Sequence, residues 1–261
     1  MEINHKIKHF FENLRFLKRK TVKFEFRGDF YHLNNESSAK YHITHSVEKV
    51  HNMASLVPAK SNIVFDVGAN CGLFSAMCFK KNANLEIHAF EPSKSLIKII
   101  ELNCKNFSKR LYLNNLALSD QEGEAVLYIN KNSQQTNSLN RKSVEIIAEL
   151  NQIIEQKTLC KTLDQYCMEN SISYIDVLKL DVQGFEKHVV DGASKMLEFT
   201  EKIFLESSWL EIDTILLALK LREQLGFKYG YLINSVFAGA DLLLSKEPLE
   251  ESDLNMVISQ L

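Results

Sequence analysis

From Ile63 onward the chain alternates short apolar runs with longer segments whose apolar residues recur every three or four positions. A short apolar run bounded by turn residues reads as a buried strand, and the longer spacing as the buried face of a helix. "IVFDV" (63–67) therefore predicts a strand and "GLFSAMCFKK" (72–81) a helix. "LEIHAF" (85–90) predicts a second strand, and "SKSLIKIIELNCKNF" (93–107) a second helix. Strands are expected within 110–118 and at 124–130, with a polar loop, "NKNSQQTNSLNRKS", over 130–143. A strand at 175–182 precedes a helix at 186–197, and a strand at 202–207 precedes a helix at 211–225. Apolar runs at 227–234 and 240–246 read as closing strands. Buried strands alternating with helices imply an α/β fold, a largely parallel sheet with helices on both faces.

The segment before this alternation follows a different pattern. Ile3, Ile7, Phe10, Phe11, Leu14 and Leu17 recur at helical spacing among basic residues, which predicts an amphipathic basic helix. It either packs on the domain or touches an anionic membrane surface. Val22, Phe24 and Phe26 alternate before Gly28-Asp29 and Phe30 to Leu33, a short hairpin. A helix from about Ser38 to Leu56 is closed by Pro58. The expected division is an N-terminal helix, hairpin and capping helix over 1–57 and a sheet domain over 58–261.

Composition narrows the class. The 261 residues, 45% of them hydrophobic, suffice for one sizeable core. A formal net charge of -2 does not call for a nucleic-acid partner. Cys71, Cys78, Cys104, Cys160 and Cys167 show no metal-ligand spacing, and their apolar settings suggest reduced thiols and a cytoplasmic location. No run approaches the length of a transmembrane span.

Ligands of such sheets bind at the carboxyl ends of strands, near the point where strand order reverses. "DVGANCG" stands at the first such end. A dinucleotide-binding G-x-G-x-x-G beginning at Gly68 would need glycine at 70 and 73, where the chain has Asn70 and Leu73. No G-K-[ST] follows, so a phosphate-gripping loop fails as well. Glu91, in "FEP", ends the second strand 19 residues after Gly72, where a carboxylate can accept both ribose hydroxyls of an adenosine. Acids at two successive strand ends favour a cofactor with positive charge and no pyrophosphate, which describes S-adenosylmethionine. Asp66 is then expected near the charged methionine end, directly or through the backbone of the glycine turn. Either acid alone would be an ordinary cap.

These pieces resemble the FkbM family of S-adenosylmethionine-dependent methyltransferases. The likeness rests on "FDVGANCG", "AFEPSKSL", "NNLALSDQEGEAVLY", "KTLDQYCMENSISYIDVLKLDVQGFEKHVVDGA" and "IFLES", in that order over about residues 60–245. It implies the Rossmann-like class I methyltransferase fold, a seven-stranded, mostly parallel sheet with one antiparallel strand near its edge. It implies that Asp66, Gly68, Asn70 and Gly72 line the methionine part of the cofactor and that Glu91 binds the ribose. It places the backbone of Ala117 and Leu118, with Ser119 or Asp120, near the adenine, and Asp181 beside the transferred methyl. Family members commonly methylate hydroxyls of sugars, glycans and secondary metabolites. Where the family usually has Glu, this chain has Gln183, which is nearly isosteric but cannot act as a base at neutral pH.

Methyl transfer from a sulfonium chiefly requires positioning and exclusion of water. A hydroxyl acceptor also benefits from a general base. Asp181 and Glu206, ending adjacent strands, are the main candidates, and Gln183 shapes the site with them. Glu186, His188, His42, His45 and Glu48 are weaker candidates for the base. No metal is assigned. The polar stretch 130–143 and the helix at 38–56 are expected to wall the acceptor, a small molecule or glycan. A nicotinamide-dependent oxidoreductase and a cofactor-binding protein that has lost catalysis stay as alternatives. A nucleic-acid methyltransferase is disfavoured, because no N-P-P-Y-type tetrapeptide follows the fourth strand.

Overall fold

The structure is a computed structural model that describes residues 21–34, 39–208, 212–236, 239–257 and 259–260. The basic helix expected over residues 3–17 lies outside the described residues. The hairpin is formed by β1 (Thr21–Phe26) and β2 (Asp29–Asn34), with Phe26 opposite Asp29. Its turn is Arg27-Gly28 rather than Gly28-Asp29. The type I′ form of a two-residue hairpin loop needs positive φ at both central positions, and these two residues supply 50° and 85°. Helix α1 (Ala39–Ser55) follows.

Next come β3 (Ile63–Val67), α2 (Leu73–Lys81), β4 (Glu86–Phe90), α3 (Lys94–Asn103), β5 (Leu111–Asn114), β6 (Ala117–Leu118) and β7 (Gly123–Asn130). Then follow α4 (Arg141–Ile147), β8 (Ile153–Lys161), α5 (Leu163–Glu169), β9 (Ile175–Leu180) and α6 (Glu186–Asp191). The chain closes with β10 (Thr200–Ser208), α7 (Ile212–Leu225), β11 (Tyr229–Val236), β12 (Gly239–Ser245) and β13 (Ser259–Gln260).

The main sheet has the order β13-β11-β12-β10-β9-β3-β4-β5. Strands β5, β4, β3, β9 and β10 pair in parallel, and β12 enters antiparallel between β10 and β11. This is the seven-stranded arrangement expected from the sequence, with the two-residue β13 added on β11. Strand order reverses between β3 and β9: β4 and β5 build outward on one side, β10 on the other. Alternate residues of each strand face opposite layers. Val64, Ile87, Val177 and Phe204 pack with the hairpin, α1, α2 and α3. Phe65, Leu178, Leu180 and Leu205 pack with α5, α6 and α7. Each such side chain, taken out of water, contributes about 1.5–3 kcal/mol.

Besides β13, three elements have no counterpart in the sequence prediction. Strand β8 pairs with β7 antiparallel and with β6 in parallel, forming a small separate sheet. Its residues are mostly half-buried or exposed, so "IIEQKTLCK" carries no continuous apolar signal. Helix α4 starts inside the stretch expected to be a loop, where the Asn140 side chain accepts from Lys142 N. Helix α5 starts where Thr162 accepts from Gln165 N. Two predicted helices are also shorter than expected. Helix α3 gives way to a 3-10 turn over Lys105–Phe107. Helix α6 stops at Gly192, where a Cβ would lie 2.0 Å from the Ser119 carbonyl oxygen.

Candidate active site

The turn after β3 is clamped from two sides. Gly68, Asn70 and Gly72 have φ of 76°, 52° and 71°, so the left-handed conformation recurs at every second residue. Asparagine accepts that conformation better than most residues, which explains why Asn70 can stand between the glycines. Gly68 N and Ala69 N both donate to Phe90 O at 3.0 Å, tying the turn to β4. On the other side a Cβ at Gly68 would lie 1.9 Å from the Asp181 carbonyl oxygen. Only glycine allows the turn to approach the end of β9 this closely.

Glu91 holds the same turn from below. Its Oε2 accepts from Asn70 N and its Oε1 from Ser93 N, each at 2.8 Å. Burial pushes its carboxyl up to about 7, against the pull of those two backbone donors.

Asp66 is fully buried and engaged within the protein. Its Oδ2 accepts from Ser75 Oγ at 2.6 Å, and its Oδ1 from Lys179 Nζ at 3.1 Å. Lys179 also donates to Gly68 O at 2.9 Å and lies 3.5 Å from Asp181 Oδ2. Burial disfavours the Lys179 charge, yet Asp66 and Asp181 hold its ammonium above the ordinary lysine value.

A second group of charges lies at the ends of β9 and β10. Gln183 Nε2 donates to Asp181 Oδ1 at 2.8 Å and to Glu206 Oε2 at 2.5 Å. Lys49 Nζ, from α1, is 2.6 Å from Glu206 Oε1 and 2.9 Å from Asp241 Oδ1. Burial and the neighbouring Asp181 charge raise the Glu206 carboxyl well above its ordinary value. Burial also opposes ionisation of Asp181, but Lys179 and a hydrogen bond from Glu206 outweigh it, so this carboxyl lies well below the usual range. The two carboxyls are close enough to titrate as a pair.

Both groups open into one cavity of about 700 Å³. Gly68, Asn70, Glu91, Ala117, Leu118, Asp181, Gln183 and Glu206 line it. So do both expected walls: Ser46, Lys49, Val50 and Met53 of α1, and residues 133–139 of the polar stretch. That stretch is held over the strand ends by Asn70 Nδ2 donating to Gln134 O (3.2 Å) and Ser138 Oγ donating to Val182 O (3.3 Å).

Four expected lining residues stand behind the wall. Asp66 is consumed by Ser75 and Lys179. Gly72 caps α2 and faces Ile100. Ser119 Oγ bonds Asp120 Oδ1 at 2.9 Å, and Asp120 in turn lies 3.4 Å from His188 Nδ1. Among the weaker base candidates, Glu186 accepts from Val182 N and Gly184 N and so braces the loop after β9. His188 stacks on Phe185 with ring centroids 4.2 Å apart. Glu48 pairs with Arg27 on the exposed side of α1. The side chains of His42 and His45 lie outside the described residues.

Lys49, Lys179 and Asp241 were not singled out from the sequence. Lys179 had a usable signal, because in "LKLDV" it stands two residues before Asp181 and so shares its face of β9. Asp241 opens "DLLL" as a lone acid beside an apolar run. Lys49 is one of several charges on its helix and had none. Among the described residues, no group of three or more His, Cys, Asp or Glu is placed to hold a metal ion.

The model of the methyltransferase FkbM domain matches residues 66–231, from the buried acid of β3 to the middle of β11. The chain belongs to the FkbM methyltransferase family. S-adenosylmethionine is accordingly its methyl donor, and the nicotinamide alternative falls. Two curated relatives are similar at the sequence level. The 2-O-methyltransferase NoeI of Sinorhizobium fredii is 24% identical over 174 residues, covering 63% of this chain and 71% of NoeI. The AMB antimetabolite synthetase AmbE of Pseudomonas aeruginosa is 25% identical over 175 residues, 56% of this chain, and the match spans only 8% of AmbE. Among solved structures, M. jannaschii TYW2 in complex with AdoMet superposes with a TM-score of 0.50 at 13% identity, covering 87% of this chain and 86% of TYW2. That likeness concerns the fold. Among the described residues no helix is long and apolar enough to cross a membrane.

Proposed function

We propose that this FkbM methyltransferase transfers the methyl group of S-adenosylmethionine to a hydroxyl oxygen of a sugar, glycan or small metabolite. The observation that carries the reading is the Asp181–Gln183–Glu206 cluster, which faces the same cavity as Glu91 and the glycine turn. NoeI, whose name specifies 2-O-methylation, supports the choice of oxygen.

The lining suits an adenosyl sulfonium. Glu91 already accepts two backbone N–H groups and retains lone pairs toward the cavity for ribose hydroxyls. Gly68 and Asn70 offer backbone at close range to the methionine moiety, and Asp66 acts on that end through Lys179 and the Gly68 carbonyl. Ala117 and Leu118 form the adenine side, with Ser119 and Asp120 buttressing them from behind. When bound, the cofactor supplies a methyl group already activated by its positive sulfur.

The protein's own contribution is orientation and proton handling. The acceptor lies between α1 and the 133–139 segment, with its hydroxyl directed at the carboxyl pair. The ionised member of that pair accepts the hydroxyl proton as the oxygen is methylated. Gln183 cannot take a proton, and its amide instead fixes the two carboxyls relative to each other. Carboxylates dominate this end of the cavity, which favours an uncharged acceptor over a polyphosphate such as nucleic acid.

The test is mass spectrometry of a pool of glycans and small hydroxyl compounds incubated with protein and methyl-labelled cofactor. Gain of one labelled methyl on a hydroxyl is the expected result. Cofactor binding by calorimetry, without transfer to any member of the pool, would overturn the O-methyltransferase reading and favour a binding protein.

A further inference from the structure

Lys49 differs from the other charges of the cavity in coming from α1, a helix that precedes the sheet in sequence. It meets two carboxylates that stand directly opposite each other in the sheet, Glu206 of β10 and Asp241 of β12. When both are ionised such paired acids repel, and Lys49 places a cation between them. The helix is held in place for the task. Asn234 of β11 donates from Nδ2 to the Lys49 carbonyl at 3.2 Å and to Asp241 Oδ2 at 2.8 Å. Asn52, one turn along α1, donates to Asn234 Oδ1 at 3.0 Å. The backbone of Lys49 is thus anchored to the strand beside the carboxylate that its side chain neutralises.

Among the described residues, charged and polar groups from three elements face Glu206. On β9 and its following loop these are Lys179, Asp181 and Gln183, on α1 Lys49, and on β12 Asp241. Without Lys49, three carboxyls would face one another with Lys179 as their one close cation among the described residues, and Lys179 is already shared with Asp66.

We propose that Lys49 is a positioning residue for methyl transfer, clamping Glu206 against Gln183 and Asp181 and setting where the proton of that carboxyl pair resides. The proposal rests on the O-methyltransferase reading for its purpose, but its test does not depend on it.

The test follows the Glu206 carboxyl by carbon-13 NMR of glutamate-labelled protein across pH, with the signal assigned by Glu206→Gln. In Lys49→Met the midpoint is expected to rise by at least about one pH unit, because the cation that favours the ionised form is gone. Lys49→Arg should retain the wild-type midpoint. If Lys49→Met does not fold, Lys49→Gln, which removes the charge but keeps a hydrogen-bond donor for Glu206, should show the same direction of shift. An unchanged Glu206 midpoint in either folded variant lacking the lysine overturns the proposal. The labelled-methyl assay on the wild type reports separately on transfer to oxygen, so a failure of the O-methyltransferase reading is seen independently.

Discussion

Asp66 and Lys179 are register partners on adjacent parallel strands, and their side chains form an ion pair of 3.1 Å with almost no access to solvent. The acid that opens the glycine motif therefore acts first as the counter-ion of a lysine. Removing one partner of a buried pair leaves an uncompensated charge. Lys179→Met is expected to lower stability by about 3–5 kcal/mol, and Lys179→Met/Asp66→Asn to recover much of that loss. Urea denaturation of the two variants measures both effects, and additive losses would contradict the pairing.

Gly68 and Gly226 share a φ of 76° but have different surroundings. A Cβ at Gly226 meets nothing within 4 Å, whereas at Gly68 it would lie 1.9 Å from the Asp181 carbonyl oxygen. Gly226→Ala is expected to cost only the backbone strain, about 1–2 kcal/mol. Gly68→Ala must also push the turn away from β9. It should be destabilised well beyond its control, and its cofactor affinity should fall. Thermal melts of the two variants side by side make the comparison.

Glu91, proposed to hold the ribose, is expected to give cofactor binding a pH dependence. Its carboxyl titrates at about 7, above the ordinary 4.5, so the folded state holds this proton more tightly than the unfolded chain. The sign follows: the group's contribution to stability is present at low pH and is lost as pH rises from about 4.5 to about 7. Binding of ribose hydroxyls favours the ionised form, so affinity for S-adenosylmethionine should rise between about pH 6 and pH 8. Calorimetry across that range should show the rise in wild type and its absence in Glu91→Gln. The variant should also lose about 1–3 kcal/mol of stability, since one backbone N–H then faces an amide nitrogen.

Gln183 separates two carboxyls that its amide bridges at 2.8 and 2.5 Å. Gln183→Glu puts a third acid there, and like charges about 4 Å apart repel by about 4 kcal/mol at a dielectric of 20, more at shorter range. The new carboxyl should titrate high, so the variant binds an extra proton when folded and loses stability as pH rises through that value. The difference in melting temperature from wild type is therefore expected to be larger at pH 8 than at pH 5. An equal difference at both would show that charge is not what the amide avoids.

The sheet and the cofactor motif were readable in the chain because their signals are local. A buried strand must be apolar along its whole length, and Ile63–Val67, Glu86–Phe90 and Ile175–Leu180 are largely so. A turn with positive φ at every second residue must carry residues that tolerate it, and Gly68, Asn70 and Gly72 do. Strand β8 escaped because a half-exposed strand on a small sheet need not be apolar. Helix α4 escaped because its few turns bury Val144 alone.

The amino-acid order by itself determined the fold class and the glycine turn with its acid at the next strand end, since each follows from hydrophobic period or backbone conformation over a few residues, and it carried the family in the likeness of its motifs. Tertiary structure alone decided which charges meet. Asp66 and Lys179 are 113 positions apart, and Lys49 and Glu206 are 157 apart. Ion pairs at such separations depend on strand order and helix docking, which no local pattern encodes. Folding thereby made Asp66, expected near the methionine end directly or through the backbone of the glycine turn, the buried counter-ion of Lys179, and it brought Lys49, a helix residue without any motif, to the carboxyls of the cavity.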